Sequence, residues 1–102
     1  MRNKYGKLFI EIEDDGNGGY QVKDEYVKPL LDYVKSKQYK DIIILYGDIY
    51  YNVVYQYFGN STITLSGSIT IHDENGDLLT SESVSITYNM VTDVINVSVL
   101  SY

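Results

Sequence analysis

The stretch YGDIYYNVVYQYFGN, residues 46–60, stands at the middle of the chain and holds five of its twelve tyrosines. It contains two turn-forming pairs, Gly-Asp at 47–48 and Gly-Asn at 59–60. The segment between them, Ile49–Phe58, consists mostly of tyrosine and β-branched residues, which favour strands. Because a strand points alternate side chains to opposite faces, one face of this strand carries Ile49, Tyr51, Val53, Tyr55 and Tyr57. Neither face is wholly apolar or wholly polar.

On both sides of this stretch, apolar residues recur with the spacing of strands. Alternation with polar residues predicts strands that are covered on one face, and the continuous run at residues 41–46 predicts a strand buried on both. Asn-Gly pairs at 17–18 and 75–76 mark hairpin turns. The predicted strands are Lys7–Asp14, Tyr20–Val22, Asp41–Tyr46, Ile49–Phe58, Thr62–His72, residues 79–88 and residues 91–100.

One segment has the period of a helix instead. Its apolar residues at i, i+3, i+4 and i+7 are Val27, Leu30, Leu31 and Val34. Asp24 predicts the N-cap, whereas Pro29 predicts that the helix starts near Lys28 or bends there. We expect the apolar stripe to pack on Ile42 and Ile44. The predicted class is α+β, a mostly antiparallel sheet with one clear helix.

Two pairs of short segments resemble each other across the chain. IEDDGNGG at 12–19 and IHDENGD at 71–77 both place an acidic Asn-Gly turn after an alternating strand. YKDIIILY at 39–46 and VTDVINVS at 91–98 both place an aspartate before a β-branched run. These matches predict a single domain, residues 1–102, with an internal repeat of 1–51 and 52–102. The two halves would be related by a pseudo-twofold axis, with a groove between them at the tyrosine strand.

The charges are distributed unevenly. All eight basic residues lie in the first forty positions, and the net charge is −6. Nucleic-acid binding takes most of its affinity from Lys and Arg on phosphates, so we expect no nucleic-acid partner. Residues 49–71 carry no charge over a length that could cross a bilayer. Their polarity and their period of two predict a hairpin, so we expect no membrane partner. The N-terminal apolar run is too short for a signal peptide.

No motif in the chain predicts catalysis or a cofactor. Residues 13–24, EDDGNGGYQVKD, approach the spacing of a calcium-binding EF-hand loop. The loop begins with Glu, ends with Asp and follows a predicted strand, so a hairpin turn explains it better. His72 is the only histidine and has no nucleophile motif around it. There is no cysteine. We expect no metal, no cofactor and no enzymatic activity.

The whole chain resembles the small orphan proteins of Acidianus filamentous viruses, in the lipothrixvirus group of hyperthermophilic archaea. The resemblance lies in its length, its tyrosine content, its lack of cysteine and the overall string. It implies a viral protein located in the host cytoplasm or the virion, and it implies no activity.

The predicted function follows from the tyrosine strand. Rigid amphipathic rings supply contact area at low entropy cost, and a groove between two halves could hold an extended chain. We predict that Tyr51, Tyr55 and Tyr57, with Tyr46, line a groove that binds an extended peptide segment of a partner protein. The protein would be a monomer or homodimer. One alternative is a self-associating virion or assembly component, and a second is a hydrolase that uses acidic residues. The tyrosines could also simply be strand formers with buried rings.

Overall fold

The computed structural model describes residues 7–36 and 41–101, which form seven strands and one helix. In chain order they are β1 Lys7–Asp14, β2 Tyr20–Val22, α1 Asp24–Ser36, β3 Asp41–Tyr46, β4 Ile49–Phe58, β5 Thr62–His72, β6 Leu78–Asn89 and β7 Val94–Ser101. The bounds predicted for β1 to β5 are confirmed. β6 and β7 are shifted by one to three residues from their predicted ends.

The strands close into a barrel with the order β1-β2-β7-β6-β5-β4-β3. β1 and β3 are parallel and in register from Lys7 beside Asp41 to Ile12 beside Tyr46. α1 connects them, as the crossover of a parallel pair requires. The predicted α+β class with a mostly antiparallel sheet is therefore wrong. Closure of the barrel and the parallel pairing of β1 with β3 both join strands that are distant in sequence. Local sequence patterns do not predict such pairings.

The predicted pseudo-twofold arrangement is not seen. The first half contributes α1 and the parallel pair, whereas β5, β6 and β7 in the second half pair only antiparallel with one another. The predicted boundary between residues 51 and 52 lies inside β4. The two similar turns do share a local structure. Asp15 donates its amide to the Gly19 carbonyl, and Asp73 does the same to Asp77.

The helix is longer than predicted and its buried face is rotated. α1 begins at Asp24 and continues through Pro29. It buries Leu30, Tyr33 and Val34 in one cluster with the inward residues of the barrel, Ile42 and Ile44 included. Leu31 is only half-buried, so it contributes less to this cluster than its place in the predicted apolar stripe implies. The predicted stripe did not include Tyr33, because only aliphatic residues were used to define it.

A bulge in β4 exchanges the faces of the tyrosine strand. Before it, Tyr51 pairs with the buried Ile44 and faces inward. The register shifts between Val53 and Tyr55, so that Gln56, rather than Tyr55, pairs with the buried Leu65. One extra residue reverses which side chains point inward. The tyrosines predicted to share one face are thus divided between the core and the outer surface.

Gly67 on β5 allows the close approach of β4 at this bulge. A Cβ atom at this position would lie 2.5 Å from the main-chain oxygen of Asn52. We expect Gly67→Ala to lower the free energy of unfolding by about 1–3 kcal/mol, because the backbone must shift to admit the methyl group. Urea denaturation measures the loss. Ser68→Ala, at the exposed neighbouring position, is the control and should change stability by less than about 0.5 kcal/mol. Equal stability of the two variants would contradict this contact.

Candidate binding site at the seam and rim of the barrel

The barrel closes between β2 and β7 through very few residues. Tyr20 and Val97 are the one Cα pair recorded between these strands. β7 has eight residues, and β6 pairs with all of them along the other edge. Within residues 7–36 and 41–101, Ser98–Ser101 therefore have a strand neighbour on one side only. We call this free edge of Ser98–Ser101, together with Tyr20, the seam.

A cleft of roughly 320 Å³ adjoins the seam at Tyr20. It lies between the β1–β2 turn and the end of β3, and its lining residues are Asp14, Gly16, Gly18, Gly19, Tyr20 and Tyr46. The rings of Tyr20 and Tyr46 meet edge to face, with centroids 5.4 Å apart. The cleft is thus built from two aromatic rings, a carboxylate and a glycine-rich main chain.

Two carboxylates near the seam are each held by a tyrosine hydroxyl. Tyr46 donates to Oδ1 of Asp14 at 2.7 Å. Tyr51 donates to Oε1 of Glu82 at 2.7 Å. Glu82 pairs across the sheet with Ser101, the last residue of the seam. Both tyrosines therefore orient acidic groups at the end of the barrel where β7 ends.

The hydrogen bond to Asp14, strengthened by partial desolvation, raises the pKa of Tyr46 to about 12 from 10.0. Burial, followed by the bond to Glu82, raises the pKa of Tyr51 as well. A raised folded-state pKa means that stability is fully present below pH 10 and is lost as the pH rises towards 12.

We therefore expect the contribution of these two tyrosines to stability to be constant up to about pH 10 and to fall above it. Phenolate absorbance during alkaline titration of the folded protein should show a component near pH 12, and Tyr46→Phe should remove it. Tyr50→Phe is the matched control, because that ring is exposed. If Tyr46→Phe removes absorbance near pH 10 instead, the bond to Asp14 is absent in solution.

The structure separates the four tyrosines predicted to line one groove. Tyr46 lines the cleft. Tyr51 is completely buried in the core, on the inner face of β4. Tyr55 and Tyr57 lie on the outer surface, about half exposed, with parallel rings whose centroids are 6.4 Å apart. No single groove contains all four, because the bulge in β4 turns the last two outward.

The acidic turns all lie at the same end of the barrel as the seam. β1, β3, β5 and β7 end there, so the β1–β2, β3–β4 and β5–β6 turns meet there. Among the described residues this end holds only acidic charges, and we call it the acidic rim: Asp14, Asp15, Asp48, Asp73, Glu74, Asp77 and the inward Glu82. The described lysines lie elsewhere, and two of them, Lys23 and Lys28, form ion pairs with Glu11 and Asp32.

The segment that approaches EF-hand spacing, residues 13–24, spans the end of β1, the β1–β2 turn, β2 and the first residue of α1. The Asp15 carboxylate accepts hydrogen bonds from the main-chain amides of Asn17 and Gly19, at 2.7 and 3.0 Å. These amides lower the pKa of Asp15. Asp24 belongs to α1 rather than to the turn. Residues 7–36 and 41–101 contain no group of three or more potential ligands that could hold a metal ion.

Three residues of the site were missed from the sequence: Asp14, Tyr20 and Glu82. Their partners lie far along the chain, 32 residues for Asp14 with Tyr46 and 31 for Glu82 with Tyr51. Tyr20 occurs in a strand of three residues. Only the tyrosine content of the chain gave a signal, and that signal does not distinguish one ring from another.

Comparisons of the chain with models of known protein families, with curated proteins and with solved structures give no match. Across the part of the chain that the structure describes, no helix has the length and the apolar character needed to cross a membrane. The functional argument therefore depends on the geometry of the seam, the cleft and the acidic rim.

Proposed function

We propose that the protein is a non-enzymatic interaction module that binds an extended peptide segment of a partner protein along the seam. The free edge of Ser98–Ser101 carries the proposal, because a strand paired on one side only is a template for another strand. The added segment would continue the line of β2 past Tyr20. Main-chain hydrogen bonds to β7 would supply affinity, as in other cases of strand addition.

The sequence of β7 lacks the features that normally protect an edge strand. Natural edges carry lysine, proline, bulges or inward charges that prevent pairing. β7 is VINVSVLS, with neither a charged residue nor a proline, and its pairing with β6 has no register shift. An unprotected, β-branched edge supports a role in pairing.

The cleft supplies contacts for the side chains of the bound segment. Alternate side chains of an added strand would point to the inner side of the barrel, where Tyr20 and Tyr46 present ring surface. Tyrosine rings bind well because they are rigid and amphipathic. The predicted tyrosine-lined groove is therefore proposed at Tyr46 and Tyr20 rather than along β4.

Self-association is the second candidate, because the same free edge could pair with β7 of another copy. Size-exclusion chromatography at several concentrations separates the two functions. An elution volume independent of concentration supports the peptide-binding function, and one that decreases with concentration supports self-association.

The proposed place of action is the host cytoplasm or the virion of an archaeal filamentous virus. It depends on the resemblance of the whole chain alone. Antibody labelling of infected cells and purified virions tests it.

Proline substitutions test the use of the β7 edge. The main-chain amides of two successive strand residues point to opposite edges of the strand. Of Ser98→Pro and Val99→Pro, one therefore removes an amide that bonds to β6, and the other removes an amide on the free edge of β7. The variant with the higher melting temperature is the edge variant. We expect it to fold normally and to lose binding of peptides selected from a displayed library of random decapeptides. Undiminished binding by this variant would contradict the proposal.

A further inference from the structure

We infer that the segment bound at the seam is cationic, with Lys or Arg side chains at alternate positions that reach Asp14 and Glu82. The inference rests on the proposed function and adds the chemistry of the partner. It follows from the position, the hydrogen bonding and the uncompensated charge of these two carboxylates.

Both carboxylates lie within reach of a strand added at the seam. Glu82 stands opposite Ser101, so an added strand would be the second neighbour of β6, about 10 Å from it at the spacing of strands in a sheet. Asp14 pairs with Tyr20 at the end of β2, whose line the added strand continues. Inward side chains of the segment would enter the space between these two acids.

Neither carboxylate has a cationic partner among the described residues. Each accepts a hydrogen bond from a neutral tyrosine hydroxyl, which fixes its position and leaves its negative charge in place. A carboxylate has about four acceptor sites, so capacity remains for a second donor. Bonds between a cationic donor and a carboxylate are stronger than those between neutral groups. The site therefore presents oriented acceptors that favour a positive charge.

The charges of the rest of the acidic rim act in the same direction. Residues 41–102 contain no Lys or Arg at all. A region of one charge sign raises the local concentration of oppositely charged ligands and accelerates their association. An acidic segment would be repelled at every approach to the seam. The described lysines lie at the start of β1, between β2 and α1, and on α1, outside the rim: Lys7, Lys23, Lys28 and Lys35.

A third pair of tyrosine and carboxylate provides a matched control. Tyr88, near the end of β6, donates to Oδ1 of Asp93 at 2.7 Å. Asp93 lies in the turn between β6 and β7, at the opposite end of the barrel from the acidic rim. Asp93→Asn removes the same charge as Asp14→Asn and keeps an acceptor for its tyrosine. Glu82→Gln likewise keeps an acceptor for Tyr51. These substitutions change charge without leaving a hydroxyl unpaired.

The experiment selects peptides from a displayed library of random decapeptides on the immobilised full chain at low salt. The expected result is enrichment of Lys and Arg at alternate positions. The affinity of a selected peptide should fall about tenfold in Asp14→Asn and in Glu82→Gln, as for loss of one charge-assisted hydrogen bond, and less than about twofold in Asp93→Asn. It should also fall steeply as salt increases.

The outcomes distinguish this inference from the function on which it rests. Selected peptides that are neutral or acidic, or that bind Asp14→Asn and Glu82→Gln as tightly as the parent, overturn the cationic partner. If the proline variant of the β7 edge still abolishes their binding, the proposed function stands. Peptides that bind regardless of that variant overturn both. Concentration-dependent dimerisation abolished by the same variant assigns the edge to a second copy and overturns both. If Glu82→Gln does not fold, the cationic partner is tested by the affinity of Asp14→Asn for the selected peptide and by the dependence of that peptide's binding on salt.

Discussion

Tyr51→Ala is expected to lower the free energy of unfolding by about 3–5 kcal/mol, the range for removal of a large buried aromatic side chain. The ring of Tyr51 is completely buried on the inner face of β4, beside Ile44 of β3. Alanine leaves a cavity there and also leaves Glu82 without the hydroxyl that it binds. The measurement is the urea midpoint and slope.

Tyr55→Ala and Tyr57→Ala are the controls for this substitution. Both rings are about half exposed on the outer surface and stack on each other, so each change should cost about 1 kcal/mol or less. Tyr51→Phe keeps the ring and isolates the hydroxyl. Equal losses for Tyr51→Ala and Tyr55→Ala would mean that the bulge in β4 does not exchange the faces of the strand.

Leu30→Ala is expected to cost about 2–5 kcal/mol, and Leu31→Ala clearly less. Leu30 is almost completely buried in the cluster that joins α1 to the barrel, whereas Leu31 is half-buried. The two leucines are adjacent on the helix and have the same propensity, so their difference reports burial alone. Urea denaturation of both variants measures it.

The comparison also tests the position of the helix. A larger loss for Leu31→Ala than for Leu30→Ala would mean that Leu31 is the more deeply packed of the two leucines in solution. It would contradict the burial of Tyr33, which packs edge to face on Phe58 and donates a hydrogen bond to Gln56.

The local elements of this fold could be predicted from the sequence because each has a local cause. Alternation of apolar residues defines β1 and β5, the continuous apolar run defines β3, and the glycines of the Asn-Gly turns adopt the positive φ that such turns need, +88° at Gly18 and +85° at Gly76. These signals involve residues a few positions apart.

Closure of the barrel could not be predicted because its causes are distant in sequence. The parallel pairing of β1 with β3 spans the whole helix, and the contact of Tyr20 with Val97 joins the two ends of the chain. The bulge at Val54 is marked by a glycine only on the partner strand, at Gly67, and nothing within β4 indicates that Tyr55 and Tyr57 turn outward. The predicted groove depended on the same point, since it assumed an unbroken period of two through residues 49–58.

Of the predicted site, Tyr46 remains, and Asp14, Tyr20 and Glu82 join it. The sequence predicted that tyrosines would matter to an extended partner. The sequence did not indicate which tyrosines lie near a free strand edge. A strand edge is free when no other strand pairs with it, and local sequence patterns do not show strand pairing.

Amide hydrogen exchange of the full chain, with and without a peptide selected from the displayed library, tests the central claim most directly. An added strand takes up the free main-chain donors of β7, so exchange within Ser98–Ser101 should slow at least about tenfold on binding. Exchange at the outer part of β4, around Tyr55 and Tyr57, should remain unchanged. Unchanged exchange in β7, together with slowing around Tyr55 and Tyr57, would contradict strand addition at the seam and assign binding to the outer tyrosine pair.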